Sequence, residues 1–397
     1  MYRCHLILLS FVIFLVLSGC WDRVEIEQRG FVVGVAIDLA EEQSGGASDG
    51  DQQIELTLQL ANPRGLGSTT TGGGQQKAFL NISGTGSSIF EINRDMAKQT
   101  SRTPFYEHLK VIIVSKELAQ KPGLFSKTMD TFIRDPEMRR SVKVLVAEGK
   151  SKNFLNMESE QEKLPSLKIE SIIKNTRKNA SIIEPVRIGK VHQLLLNRNS
   201  YVLPTISLVN NKLKDEGVAV LHGKSNVLVG TLNKTETKGL NFIKGETSSG
   251  VFHVNVDGDS VIYEIVNAKS KIQCEAKSKD DLKFTVSIEM EGNIAEDYGS
   301  KDDLIDERYL KKVESKIEQE IKNIAQQTID KVQKELKVDV LGFDRRLRRT
   351  DYDLWEQVRK NWDRGDNYFA KSDVNVEANA IVRITGVADQ TKSGIIE

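Results

Sequence analysis

The chain has 397 residues, with 56 Lys+Arg against 56 Asp+Glu, 39% hydrophobic residues, five histidines and three cysteines. A formal net charge of zero supplies no global field for nucleic acid or an anionic surface, and so few His and Cys argue against a structural metal centre. The length suits two or three globular domains of about 100–200 residues each.

The first predicted element is a leader. An apolar run of about 12 residues starts at Leu6, behind the positive charge of Arg3. It is too short to span a bilayer, which takes roughly 20 residues, and it suits the h-region of a secretory signal. Leu17-Ser18-Gly19-Cys20 closes it as a full lipobox. Small side chains open the bond before Cys20 to a peptidase, and the Cys20 thiol can form a thioether to diacylglycerol. An ordinary signal peptide followed by a chance cysteine is the other reading. Residues 1–19 are thus expected to be removed, leaving 378 residues of net charge near −1 with diacylglycerol and N-acyl lipid on Cys20. Two acyl chains hold stably where one is marginal, at about 0.8 kcal/mol per buried CH₂. No other cofactor is expected. Cys4 leaves with the leader, so Cys274 stands alone and no intrachain disulfide can form.

Gly30 to Leu39 reads as a buried strand, and Ile54, Leu56, Leu58 and Leu60 alternate with polar residues as a half-buried one. Polar Gly/Ser-rich loops follow each, at 41–51 and 65–74. A strand over 78–82 leads through Gly84-Thr85-Gly86-Ser87-Ser88 into a helix ending at Lys98. That turn resembles a phosphate cradle only loosely: it has neither the third glycine of the dinucleotide fingerprint nor a Gly-Lys-Ser/Thr. Strands are predicted over 108–115 and 142–147, with helices at 116–120 and 125–132. The second helix stops at Arg134-Asp135-Pro136-Glu137, where proline forces the preceding residue out of helical geometry. Ser151 reads as the N-cap of a further helix. The pattern stays helical from Pro165 to Leu196, with Pro185 near a second helix start, and returns to strand over 201–209. Alternating strands and helices argue for layered α/β structure.

A polar segment at 210–217 is taken as a domain boundary. Short strands follow at 218–221, 227–231 and 251–256. Ala268, Ile272, Cys274 and Ala276 share one face, as do Phe284, Val286, Ile288 and Met290, and a short charged link predicts an antiparallel hairpin. Cys274 is most simply a small buried hydrophobe. Leu310, Val313, Ile317, Ile321, Ile324, Thr328, Val332 and Leu336 then form one stripe on a helix of about 27 residues, roughly 40 Å long. The stripe suits its own sheet better than a coiled-coil partner. Leu341-Gly342-Phe343 breaks this helix ahead of Arg345, Arg346, Arg348 and Arg349. A short helix with Trp355 and Trp362 and a closing strand from Val374 to Ile384 complete the chain. The expected fold class is α/β (mixed α+β), multi-domain, with mixed and antiparallel sheets packed with helices and one long amphipathic helix near 303–337. The expected domains are 20–212, which a break near 150–165 would divide, and 213–397.

Two polar constellations stand out. Arg134, Asp135, Glu137, Arg139 and Arg140 could bind a carboxylate through Arg forks or form a structural ion-pair corner. Arg345, Arg346, Arg348 and Arg349 could meet lipid headgroups or an acidic partner, or form a solvated basic edge after a helix C-terminus. His108 reads as structural rather than as a base. No Ser or Cys sits in a nucleophile setting, and His192, His222 and His253 lack metal-ligand spacing.

Several stretches together resemble the Ger(x)C family, the lipoprotein C subunits of spore germinant receptors. They are the lipobox running into Cys20-Trp21-Asp22, Glu25 and Gly30; Tyr106-Glu107-His108-Leu109-Lys110 entering a Val-Ile strand; Phe132-Ile133-Arg134-Asp135-Pro136-Glu137 with Arg139; and Leu341-Gly342-Phe343, the arginines, the two tryptophans and the last strand running to Gly386. The chain departs from the family pattern at Asp344, where Gly is usual, and at Tyr352-Asp353, where a proline precedes the first Trp. The resemblance implies a non-catalytic receptor subunit with three α/β domains in a row. It also implies a place on the outer face of the spore inner membrane, beside integral-membrane A and B subunits. A solute-binding lipoprotein of a membrane transporter shares the anchor but calls for two similar doubly wound lobes. A tethered hydrolase would need a nucleophile, carboxylate pair or metal set that the sequence does not show.

Overall fold

The computed structural model describes residues 2, 28–41, 52–67, 77–158, 162–174, 179–247, 249–297 and 307–383. Cys20 with its flanking motif, Ile384 and Gly386 lie outside them, as do the middle of both Gly/Ser-rich loops and residues 298–306.

The first sheet has nine strands. β1 (Arg29–Leu39) pairs antiparallel with β2 (Ile54–Ala61); α1 (Pro63–Leu66) leads to β3 (Phe79–Gly86), α2 (Ile89–Gln99) and the short β4 (Thr103–Phe105). β5 (Val111–Ser115), α3 (Lys116–Ala119), α4 (Leu124–Arg134) and β6 (Lys143–Ala147) follow. A 3-10 turn (Ser151–Asn156), α5 (Pro165–Ile173), α6 (Ile188–Asn197), β7 (Tyr201–Val209), β8 (Lys212–His222) and β9 (Val227–Leu232) complete it. The strand order is β3-β2-β1-β5-β6-β7-β8-β9, with β4 beside β1. β1, β5, β6 and β7 run parallel, so all four begin at one end of the sheet.

Both faces of this sheet are covered, which is why its parallel strands read as unbroken apolar runs. One face packs α2, α4 and α6 through Ile92, Met96, Phe125, Met129, Phe132 and Val191. The other packs the 3-10 turn and α5 through Phe154, Leu155, Ile169 and Ile173. β2 is therefore buried on both sides rather than on one as its alternation suggested. Gln59 is fully buried, donating from Nε2 to the Leu155 carbonyl at 2.7 Å and accepting from the Ser166 amide at 3.1 Å. A polar side chain tolerates that position because both halves of its amide are satisfied.

At four places the structure adds local chemistry that periodicity alone does not give. The segment from Ser151 is a 3-10 turn, and its N-terminal amides are capped from a distance. Asp38 at the end of β1 accepts from the Ser151 amide at 2.6 Å, the Ser151 hydroxyl at 2.9 Å and the Lys152 amide at 3.0 Å. Pro185 precedes α6 by three residues, in an extended segment whose Val186 carbonyl accepts from Val144. The boundary expected at 210–217 falls on a hairpin: Asn210 and Asn211 both take left-handed conformations, the geometry of a tight primed turn. β8 and β9 beyond it join the first sheet. Gly84 and Gly86 serve packing, since a Cβ at either would meet Ile92 at 3.0 and 2.9 Å.

After α7 (Lys234–Lys244), closed at Asn233 by a capping box, the second sheet opens. β10 (Gly250–Val256), β11 (Asp259–Ser278) and β12 (Asp281–Asp297) form an antiparallel meander. The 20-residue β11 outruns the face visible in sequence. α8 (Glu307–Asp330) continues as one π-helical turn (Lys331–Leu336), then α9 (Phe343–Thr350), α10 (Tyr352–Val358) and α11 (Tyr368–Lys371) return the chain to β13 (Asp373–Arg383). β13 pairs parallel with β12, and its outer amides at Ala380 and Val382 donate to Glu318 and Glu314 of α8 at 3.1 and 3.0 Å. The predicted stripe of α8 is buried from Val313 to Val332 against its own sheet, with Leu310 and Leu336 at its margins. Gly239 of α7 lets α8 come close: a Cβ there would stand 2.1 Å from Thr328 Oγ1. The largest core joins Val202, Val218, Val220 and Leu232 of the first sheet to the inner face of the second. The two lobes are unlike each other and share this core. Asp38→Ala leaves two amides of the 3-10 turn uncapped and is expected to cost about 2–3 kcal/mol in urea unfolding; a loss within experimental error would refute the capping role.

Candidate functional site

The Leu341-Gly342-Phe343 break is organised by a residue two positions upstream. α8 and its π turn end at Lys337, in left-handed conformation, and Asp339 follows. Asp339 is 5% exposed, and its carboxylate gathers five donors. Oδ1 accepts from the amides of Leu341, Gly342 and Phe343 at 3.0, 2.9 and 3.3 Å. Oδ2 accepts from the Asp344 amide at 2.7 Å and from Trp362 Nε1 at 2.9 Å. These backbone amides are the orphan donors at the start of α9, so a buried anion caps that helix. Burial pushes the Asp339 carboxyl up, against the Trp362 indole and the Asp344 and Gly342 amides, which favour its charged form. Gly342 holds φ +93°, a conformation that disfavours any side chain. Around this polar knot Phe343 stacks on Phe284 at 4.7 Å, and Trp362 meets Trp355 and Phe369 at 5.7 and 6.2 Å.

Asp344, where the sequence leaves the family pattern, is also buried. Asn199, just before β7, donates to it at 2.5 Å, and Arg345 Nε stands 4.0 Å away. Burial, and then the Asp339 carboxylate, push Asp344 up to about 7. Beside this contact opens a cleft of about 390 Å³ between the lobes. Arg187, Lys190, Arg345 and Lys244 supply its cations, the last paired with Glu246 at 3.0 Å; Glu184 and Glu246 are its exposed carboxylates, and Val186, Tyr201 and Val340 form part of its apolar wall.

The arginine cluster is not an edge after a helix. It lies on α9 itself, where Arg345, Arg348 and Arg349 are exposed on one face. Arg346 turns inward, half-buried beside Cys274. The Arg134 corner does not assemble. Arg134 pairs back along α4 with Asp130 at 2.7 Å, Asp135 accepts from the Glu137 amide, and Arg139 reaches Glu107 at 3.1 Å. Burial, with neighbouring Asp135, raises Glu137. Arg140 lies 3.5 Å from His192. His108 packs edge-on against Phe31 at 5.2 Å. The Cys274 thiol is buried and pushed up to about 11, which makes it a poor nucleophile. Among the described residues no group of three His, Cys, Asp or Glu could hold a metal ion, and no helix is long and apolar enough to cross a membrane. Asp339, Asp344 and Asn199 escaped the sequence reading. The available signal was an Asp two residues ahead of a Gly-Phe break, where Asx side chains bond their own backbone.

Comparison with known proteins agrees with this architecture. The family description "Spore germination protein N-terminal domain" matches residues 22–208, and "Spore germination B3/GerAC like, C-terminal" matches 216–386. Spore germination protein YndF of Bacillus subtilis (strain 168) is 34% identical over 92% of each chain. Spore germination protein B3 of the same organism is 29% identical over 89% of this chain and 91% of its own. The crystal structure of the GerBC protein superposes with a TM-score of 0.60 at 24% identity, covering 90% of this chain and 99% of that one.

Two measurements probe the site. Asp339→Ala strands four amides and the Trp362 indole and should cost about 3–5 kcal/mol of stability with a shifted tryptophan emission; a native-like unfolding midpoint would contradict this. Asp344 has its folded value above the ordinary 3.8, so the native state binds the proton more tightly and stability falls as pH rises from about 4 to about 7. Asp344→Asn keeps an acceptor for Asn199 and should flatten this decline. Parallel pH profiles of the two proteins would argue against it.

Proposed function

This chain belongs to the GerAC-like family of spore germination proteins, and from that premise we propose that it is a non-catalytic, lipid-anchored subunit of a nutrient germinant receptor. The observation that carries the reading is the chain-long match, 22–208 and 216–386, which starts two residues behind the lipobox cysteine. Cys20 takes the diacylglycerol and N-acyl chains and serves as the membrane anchor. The folded body sits on the outer face of the spore inner membrane and holds the integral-membrane A and B subunits in an assembly that signals germination.

The structure supports a docking role over a catalytic one. The lobes share a core and so form one body, suited to presenting a surface. Three of its buried titratable groups serve capping and packing: Asp38 on the 3-10 turn, Asp339 on α9, Cys274 in the second core. A transporter-type binding protein would have two similar lobes joined by hinge crossings, whereas here the lobes differ in topology.

Cys20→Ala should release the chain from the membrane fraction by roughly tenfold or more, because no second acyl signal replaces it. Retention in that fraction would refute the anchor. Cross-linking in spore membranes should recover two integral-membrane partners with the tethered chain; recovery of the chain alone would sink the receptor reading.

A further inference from the structure

The parallel strands place one set of cations where the anchored chain enters the fold. β1, β5, β6 and β7 all begin at one end of the first sheet. Gln28 lies there, and the eight peptide steps that separate it from Cys20 reach no further than about 28 Å. The loop into β6 carries Arg139 and Arg140 at the same end. Gly189 donates to the Arg140 carbonyl at 3.1 Å and Ile188 to that of Val142 at 2.7 Å, which sets the start of α6, with Arg187 and Lys190, against this loop. Asn199, entering β7, holds Asp344 and so brings Arg345 to the cleft that Arg187 and Lys190 also line. All five cations are exposed. The acidic groups beside them are Glu107, engaged by Arg139, Asp135, Glu137 and Glu184, Asp344 at 4.0 Å from Arg345, and Glu246, which Lys244 engages at 3.0 Å. At the opposite end Lys116 pairs with Glu148 at 2.8 Å and Lys152 with Glu55 at 3.0 Å, while Lys121, Lys212 and Lys214 are exposed there, so it is the tether and not the cation content that singles out the first end.

We propose that the end of the first sheet at which β1 begins rests on anionic phospholipid headgroups of the membrane that holds the chain, through Arg139, Arg140, Arg187, Lys190 and Arg345. The proposal rests on the anchored reading above and adds an orientation to it. Two features select lipid over an acidic protein surface. The tether ends at this face, and basic residues within a Debye length of an anionic leaflet are each drawn to it. The chain as a whole is neutral, so the attraction is local to this end. It leaves the second sheet and the opposite end of the first free for partners.

The test is hydrogen–deuterium exchange of the full lipidated chain on vesicles of phosphatidylcholine alone and of phosphatidylcholine with phosphatidylglycerol. Residues 138–141 and 186–190 should exchange roughly tenfold more slowly on the anionic vesicles only. The difference should vanish at 1 M salt, where the Debye length is about 3 Å. A combined Arg140→Ser, Arg187→Ser, Lys190→Ser, Arg345→Ser chain should still float with both vesicles but lose the protection; if it misfolds, the salt dependence of the native chain decides. Equal protection on neutral vesicles would overturn the proposal. So would protection centred on 115–123, or protection that appears only when integral-membrane proteins are added. A chain that fails to float with neutral vesicles would instead overturn the anchor itself.

Discussion

The second lobe depends on one buried carboxylate. Asp339 stands where the long helix has ended and three elements must turn at once: the start of α9, the loop through Gly342 and the indole of Trp362. Five donors around two oxygens satisfy amides that would otherwise be buried without partners, and an unpaired buried amide costs more than an ordinary hydrogen bond returns. The aromatic group of Phe284, Phe343, Trp362 and Phe369 packs around that knot. Its geometry sets where Asp344 and Arg345 meet the first lobe.

The first lobe solves a similar problem in the same way. Asp38 ends β1 under the 3-10 turn and accepts from two amides and a hydroxyl, although the turn is more than a hundred residues away in sequence. In both lobes an acid distant from water replaces the local Ser, Thr or Asn cap that most helices use. Such caps tie the elements they join into one unit. The shared core between the sheets extends that unity to the whole folded body. The proposed role as a receptor subunit would draw on this rigidity, because a displacement at one surface reaches another only through a body that does not yield between them.

In the proposed reading, the anchor and the basic end act on that body together. A lipid tether limits distance but leaves orientation open, whereas several cations at the tethered end choose a side. The cleft between the lobes opens beside this end, so the Asp344–Asn199 contact lies near the rim proposed to face the membrane and not at the far pole.

Most of the architecture was legible in the order of residues. The period-two faces of β12 and β13, the stripe of α8 and the apolar runs of β1, β5 and β6 are local patterns, and burial is enough to impose them. The family resemblance was legible for the same reason, as short motifs in a set order. Tertiary structure alone decided the rest. Gln59 and Thr57 became interior because a second layer covered a face that alternation had assigned to solvent. Asn210-Asn211 became a hairpin turn because its flanking segments found each other as strands. Arg134 and Asp135 did not pair although adjacent, while Asp344 and Asn199 paired across 145 residues. Local periodicity follows from which side chains avoid water; which distant groups satisfy one another's hydrogen bonds is settled only when the layers close.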